Sequence, residues 1–111
     1  MSWYRKEKVY IAGAISHDPD YKEKFDTVEK LLNEMGYLAV NPIAGNERRT
    51  DWTYKQYIDR DLKLLMNCDY ICFIDSGVRS IGMDLERSYA RAVGIRPMGA
   101  YFVNNTWIIV D

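Results

Sequence analysis

The strongest constraint on this chain is an alternation between two kinds of segment. Short, almost wholly apolar runs are separated by longer stretches whose apolar residues recur at helical spacing. "KVYIAG" (Lys8–Gly13) is an apolar run that ends at glycine and reads as a buried strand. In the stretch after it, Tyr21, Phe25, Val28, Leu32 and Met35 share one face of a helix, and Gly36 stops it. "YLAVNP" (Tyr37–Pro42) is a second strand, followed by a polar loop, Ile43–Asp51, long enough to be functional. Trp52–Asn67 is a second helix. "DYICFI" (Asp69–Ile74) is a strand so apolar that both its faces must be covered. Ser80–Val93 is a third helix, and "IRPMGAYFV" and "TWIIVD" supply one or two last strands, with Asn104 and Asn105 as a turn between them.

The order β-α-β-α-β-α-β(-β) predicts an α/β fold, with a parallel sheet of about five strands between two helical layers. In such sheets ligands sit beyond the carboxyl ends of the strands. Three loops are expected there: Gly13–Pro19, Asn41–Asp51 and Asp75–Ser80. They supply substrate-binding candidates in Gly13, Ser16, Asp75 and Ser80, with Gly82 and Trp52 beside them. Trp52 and Tyr54 either stack on a planar ring or fill core. A length of 111 residues suits one domain spanning 1–111, and 48% apolar residues suffice for a core without staples.

Charge excludes some functions. A formal net charge of −1, from 15 basic and 16 acidic residues, leaves no electrostatic footprint for nucleic acid or an anionic membrane. A nucleotide handled here is expected to be a small molecule. Cys68 and Cys72 read as reduced buried thiols, because no His or other Cys lies at metal spacing around them. No metal or cofactor is expected. "MSWYRKEK" has no apolar core of a signal peptide, so a cytoplasmic location is expected. A dinucleotide-binding G-x-G-x-x-G is absent, and "AGAIS" after the first strand lacks the acidic residues of a receiver domain.

Two carboxylates break the hydrophobic pattern. At about 100° per residue, Tyr54, Tyr57, Ile58, Leu62, Leu64 and Leu65 form one arc of the second helix, with Asp61 near its middle. Lys55, Asp59, Arg60 and Lys63 fall outside that arc. In the third helix Leu85, Tyr89, Ala92 and Val93 form the stripe, and Glu86 sits beside it. A buried carboxylate costs several kcal/mol unless it is paired or hydrogen-bonded. Either each makes a private hydrogen bond, or both face a site between the helices. In the second case an ionised Glu86, favoured by the helix N-terminus, is a competent nucleophile toward an anomeric carbon. Asp61 would then hold Glu86 or move a proton to a leaving group. Ser80 is a helix cap, and its hydroxyl and the free amides beside it can also hold a phosphate or a sugar hydroxyl.

"VYIAGAIS", "DLKLLMNCDYICFI" and "SIGMDLERSYARAVG" together resemble the nucleoside 2-deoxyribosyltransferase superfamily, which includes the 2'-deoxynucleoside 5'-phosphate N-hydrolases and a set of short phage and bacterial proteins. The resemblance runs from about Val9 to Ile95 and is closest to the short set. It implies a Rossmann-like, flavodoxin-type sandwich assembled as a homodimer or larger homo-oligomer, acting on a small nucleoside or nucleotide. It implies Glu86 as the nucleophile on C1', Asp61 as the assisting carboxylate and Tyr10 as a site tyrosine near the sugar. Ser80 and Gly82 match the phosphate-side turn. The nucleotide hydrolases carry an arginine in the first loop, where this chain reads "GAISHDP" with Ser16 and His17. Arg79, Arg48 and Arg49 are the candidates to replace it. The chain also lacks the C-terminal extension of the transferases. Two functions follow: cleavage or exchange of an N-glycosidic bond, or non-catalytic nucleotide binding on the same fold.

Overall fold

A computed structural model of the protein describes residues 5–43, 51–78 and 80–111. The elements run β1 (Lys8–Ala12), α1 (Tyr21–Glu34), β2 (Leu38–Val40), α2 (Tyr54–Leu65), β3 (Tyr70–Ile74), α3 (Ile81–Val93), β4 (Arg96–Val103) and β5 (Thr106–Val110). Five strands form one sheet in the order β2-β1-β3-β4-β5. That is the flavodoxin-type order, with the direction of winding reversing beside β1. Pairing is parallel from β2 through β4. Only the last pair is antiparallel, so the expected parallel sheet is mostly, not wholly, parallel. Asn104 and Asn105 both take positive φ, 51° and 63°, as a two-residue hairpin turn requires.

Alternation along the strands divides the core in two. Val9, Ile11, Cys72, Ile74, Met98 and Ala100 pack with Phe25, Val28 and Leu32 of α1. Tyr10, Ala12 and Ile71 point the other way and pack with Leu65, Cys68 and Ala90 on the side of α2 and α3. Cys68 and Cys72 are therefore free and buried in different layers. Burial pushes their thiols up, to about 11 for Cys68 and about 12 for Cys72.

The helix ends explain themselves. Gly36, at φ 94°, takes the left-handed turn after α1. Thr53 caps α2 in a reciprocal capping box with Gln56. The Ser80 hydroxyl accepts from the Met83 amide at the start of α3, and Gly94 ends that helix at φ 81°. Both of the latter helices are shorter than the sequence pattern predicts, because Trp52 and Ser80 precede the first helical residues.

One prediction about α3 is corrected. The face it buries is Met83, Glu86 and Ala90, while Leu85 and Val93, expected in the core stripe, are exposed at 45% and 53%. Its apolar arc is broad, running from Ile81 round past Val93 to Ala90 and Met83. The sheet takes the edge that carries small Ala90, which lets the helix approach closely. The rest of the arc is left outside.

Candidate active site

Tyr10 is the middle residue of β1 and is 1% exposed. The pleat turns it toward α2 and α3, and both helices present a carboxylate there. Asp61 and Glu86 are 8% and 6% exposed. The Tyr10 hydroxyl donates a short hydrogen bond to Glu86 Oε2. Gly13, Ile15, Ser16, Tyr54, Tyr57, Ile58, Asp61, Ser80, Gly82, Met83 and Glu86 line one small cavity of about 60 Å³. At about 30 Å³ per water, that volume is room for roughly two waters, well below the roughly 300–1,000 Å³ of ligand pockets.

The electrostatics differ from the sequence-based expectation. Glu86 was expected to be held ionised by the start of its helix. Its carboxyl is instead raised to about 7, first by burial and further by the nearby Asp61, while the Tyr10 hydrogen bond opposes the rise. Desolvation dominates because Glu86 lies in the second turn, inside the packed layer, where the terminal dipole has faded. Burial and the two carboxylates together push the Tyr10 phenol well above its ordinary range. Tyr10 is thus a hydrogen-bond donor at neutral pH.

The expected site residues divide cleanly. Gly13, Ser16, Ser80, Gly82, Asp61 and Glu86 share the cavity, and Tyr10 reaches it through Glu86. Trp52 stands behind the wall, its ring 5.2 Å from that of Tyr57. Asp75 lies outside the cavity and extends the sheet, its amide donating to the Ala100 carbonyl. Arg48, Arg49 and Arg79 lie outside the described residues. Gly13 owes its place to packing: a Cβ there would stand 2.9 Å from the Phe25 ring. Among the described residues no group of three or more His, Cys, Asp or Glu side chains could hold a metal ion.

Pattern reading missed Arg60. It lies outside the apolar arc of α2, yet its guanidinium folds back over the helix. Nε and Nη2 donate to Asp61 Oδ1 at 3.2 and 2.9 Å, and Nη2 also donates to the Pro42 carbonyl at 2.7 Å. The signal available in sequence was its position three residues after Tyr57, whose ring the guanidinium approaches. A larger groove of about 650 Å³ lies over β4, lined by Arg87, Arg91, Arg96, Phe73 and Tyr101. Neither Asp61 nor Glu86 lines it.

Known structures share this fold. A 2-deoxyribosyltransferase from Leishmania mexicana superposes with a TM-score of 0.65 at 19% identity, over 87% of this chain and 65% of its own. A CMP N-glycosidase from Clostridium botulinum gives 0.59 at 19%, over 82% and 66%. A conserved protein from Enterococcus faecalis V583 gives 0.67 at 19%, over 90% and 66%. This chain therefore spans just under two thirds of the length of each. A comparison with curated proteins finds no match. No described helix is long and apolar enough to cross a membrane. Residues 7–98 match the family described as "Domain of unknown function (DUF4406)", and the chain belongs to that family.

Proposed function

We propose that this protein cleaves or exchanges the N-glycosidic bond of a 2'-deoxynucleoside or its 5'-monophosphate. The observation that carries the reading is the convergence of Asp61 and Glu86, both buried and from different helices, on one small cavity. Two fold neighbours, a 2-deoxyribosyltransferase and a CMP N-glycosidase, support it. An ionised Glu86 oxygen attacks C1', the C1'–N bond breaks with its electron pair going to the base, and the base leaves after taking a proton from solvent. Water, or the ring N–H of a second base, then attacks C1' and gives its proton to Asp61, the bond to Glu86 breaks and its carboxylate returns, and Asp61 passes the proton to solvent. Tyr10 steadies the carboxylate by its hydrogen bond, and Asp61 assists the proton transfer. Ser80, Gly82 and Ser16 line the same cavity, and we assign them to contacts with sugar hydroxyls or a phosphate.

The test is a panel of deoxynucleosides and deoxynucleotides, with and without an acceptor base, followed by chromatography. Free base without acceptor means hydrolysis, and exchange means transfer. Glu86→Gln should lower the rate by about 10³-fold or more. A panel in which no substrate loses its base sinks the proposal. The lack of an arginine in "GAISHDP" favours the second reading, a non-catalytic nucleotide binder. It predicts intact ligand recovered from a tight complex.

The homo-oligomer implied by the resemblance has a fitting surface. Tyr54, Met66, Ile81, Leu85 and Val93 are each about half exposed or more on α2, α3 and their ends. Asp84 begins and Arg91 ends the same flank of α3. An antiparallel two-fold pairing of α3 would set the Asp84 end of each helix, where Asp84 already pairs with Arg87 at 3.6 Å, beside the Arg91 end of the second copy.

A further inference from the structure

We propose that Arg60 is a positioning residue of this site, orienting the Asp61 carboxylate and balancing its charge while tying it to both ends of the β2–α2 connection. The inference rests on the glycosidic reading above and extends it to a residue outside the cavity wall. At the start of that connection Arg60 donates to the Pro42 carbonyl at 2.7 Å. At its end the guanidinium carbon stands 5.9 Å from the Trp52 ring and equally far from the Tyr57 ring. Between them it makes two bonds to Asp61 Oδ1. The Arg60 side chain is 29% exposed and that of Asp61 11%, so the pair is more than a surface contact.

The chemistry needs arginine. A planar fork can bond a carboxylate and a carbonyl while its face packs on an aromatic ring, and a lysine ammonium cannot do all three. Several groups act on Asp61 from other elements. Tyr10 approaches from β1 and Glu86 from α3. Ser16 and Ser80 share its cavity from the first loop and the α3 cap, and Tyr57 from its own helix. Glu86 is the anionic one among these, and two carboxylates that close together do not ionise independently. Arg60 sets a positive charge directly beside Asp61, while burial and Asp61 raise the Glu86 carboxyl to about 7. The fields of Arg60 and Asp61 both reach Tyr10 and oppose each other there.

The experiment compares Arg60→Gln and Arg60→Lys in the full chain. Carbon-detected NMR of the ligand-free protein follows the side-chain carboxyls through a pH titration. The Asp61 midpoint should rise by about one unit, a tenfold change in proton affinity, in Arg60→Gln, and by much less in Arg60→Lys. With a responsive substrate, kcat should fall about tenfold in Arg60→Gln, and the acid limb of its profile should move upward. Arg60→Lys should recover the limb but not the full rate. An Asp61 midpoint unmoved in folded Arg60→Gln overturns the proposal. If Arg60→Gln does not fold, Arg60→Lys decides: a full rate in that variant, or an unmoved Asp61 orientation without substrate, overturns it. Because the titration needs no substrate, failure of the panel sinks the glycosidic reading without deciding the role of Arg60.

Discussion

At pH 7 Glu86 stands between its two protonation states, and this sets opposite demands on function and on folding. Attack on C1' needs the carboxylate, so kcat/KM should rise with pH and level off above about 7. Folding favours the neutral acid. The folded value lies above the ordinary 4.5, so the folded chain binds more protons than the unfolded one between those values. Stability from this group is complete below about pH 4.5 and is lost as pH rises through about 7. The difference amounts to about 3 kcal/mol at most. Glu86→Gln keeps an acceptor for the Tyr10 hydroxyl and removes the ionisation. It should raise the thermal midpoint at pH 8, leave it nearly unchanged at pH 4, and abolish base release. A melt showing equal midpoints for variant and native protein at pH 8 would contradict this account of the burial. A stabilised, inactive variant is the pattern expected where strain is kept for chemistry.

The elements differ in how far each glycine tolerates a side chain. At Gly13 a Cβ would meet the buried Phe25 ring at 2.9 and 3.1 Å and Ile74 at 3.3 Å. Gly13→Ala should lower stability by about 1–3 kcal/mol in denaturant titration, through overpacking of the α1 layer. At Gly82 the first atom met is the Tyr54 hydroxyl at 3.3 Å, the tip of an exposed side chain. Gly82→Ala should leave stability unchanged or raised by up to about 1 kcal/mol, while KM rises as the cavity mouth narrows. The same elements show what sequence could reveal. Gly36 and Ser80 marked helix ends because each end needs a cap or a left-handed residue. Asp61 and Glu86 were visible as carboxylates in apolar arcs. The rotation of α3 was not, since its arc is wider than the face a sheet can cover. Arg60 was not either, since a long side chain can leave the side of the helix where its Cα lies. The run "TWIIVD" was legible as a candidate last strand, and the antiparallel direction of β5 only through the turn at Asn104 and Asn105.

Across the whole molecule, one helical layer is well matched to the sheet and the other is not. α1 buries Phe25, Val28 and Leu32 against one side. On the other, α2 and α3 keep apolar residues facing outward next to the candidate site. Leu85→Glu should leave the fold intact, because Leu85 is 45% exposed, yet shift the protein to a single-chain mass in sedimentation. Native protein sedimenting as a single chain at tens of micromolar would remove the proposed two-fold interface. The division of the core has a consequence of its own. Cys72 belongs to the layer under α1 and Cys68 to the layer under α2 and α3. Each thiol is inert while its layer is closed, since burial suppresses the thiolate. The rate at which each is alkylated is therefore a clock for the opening of its own side, and the two clocks, run in one tube, tell whether the sheet sheds its two coats together or one at a time.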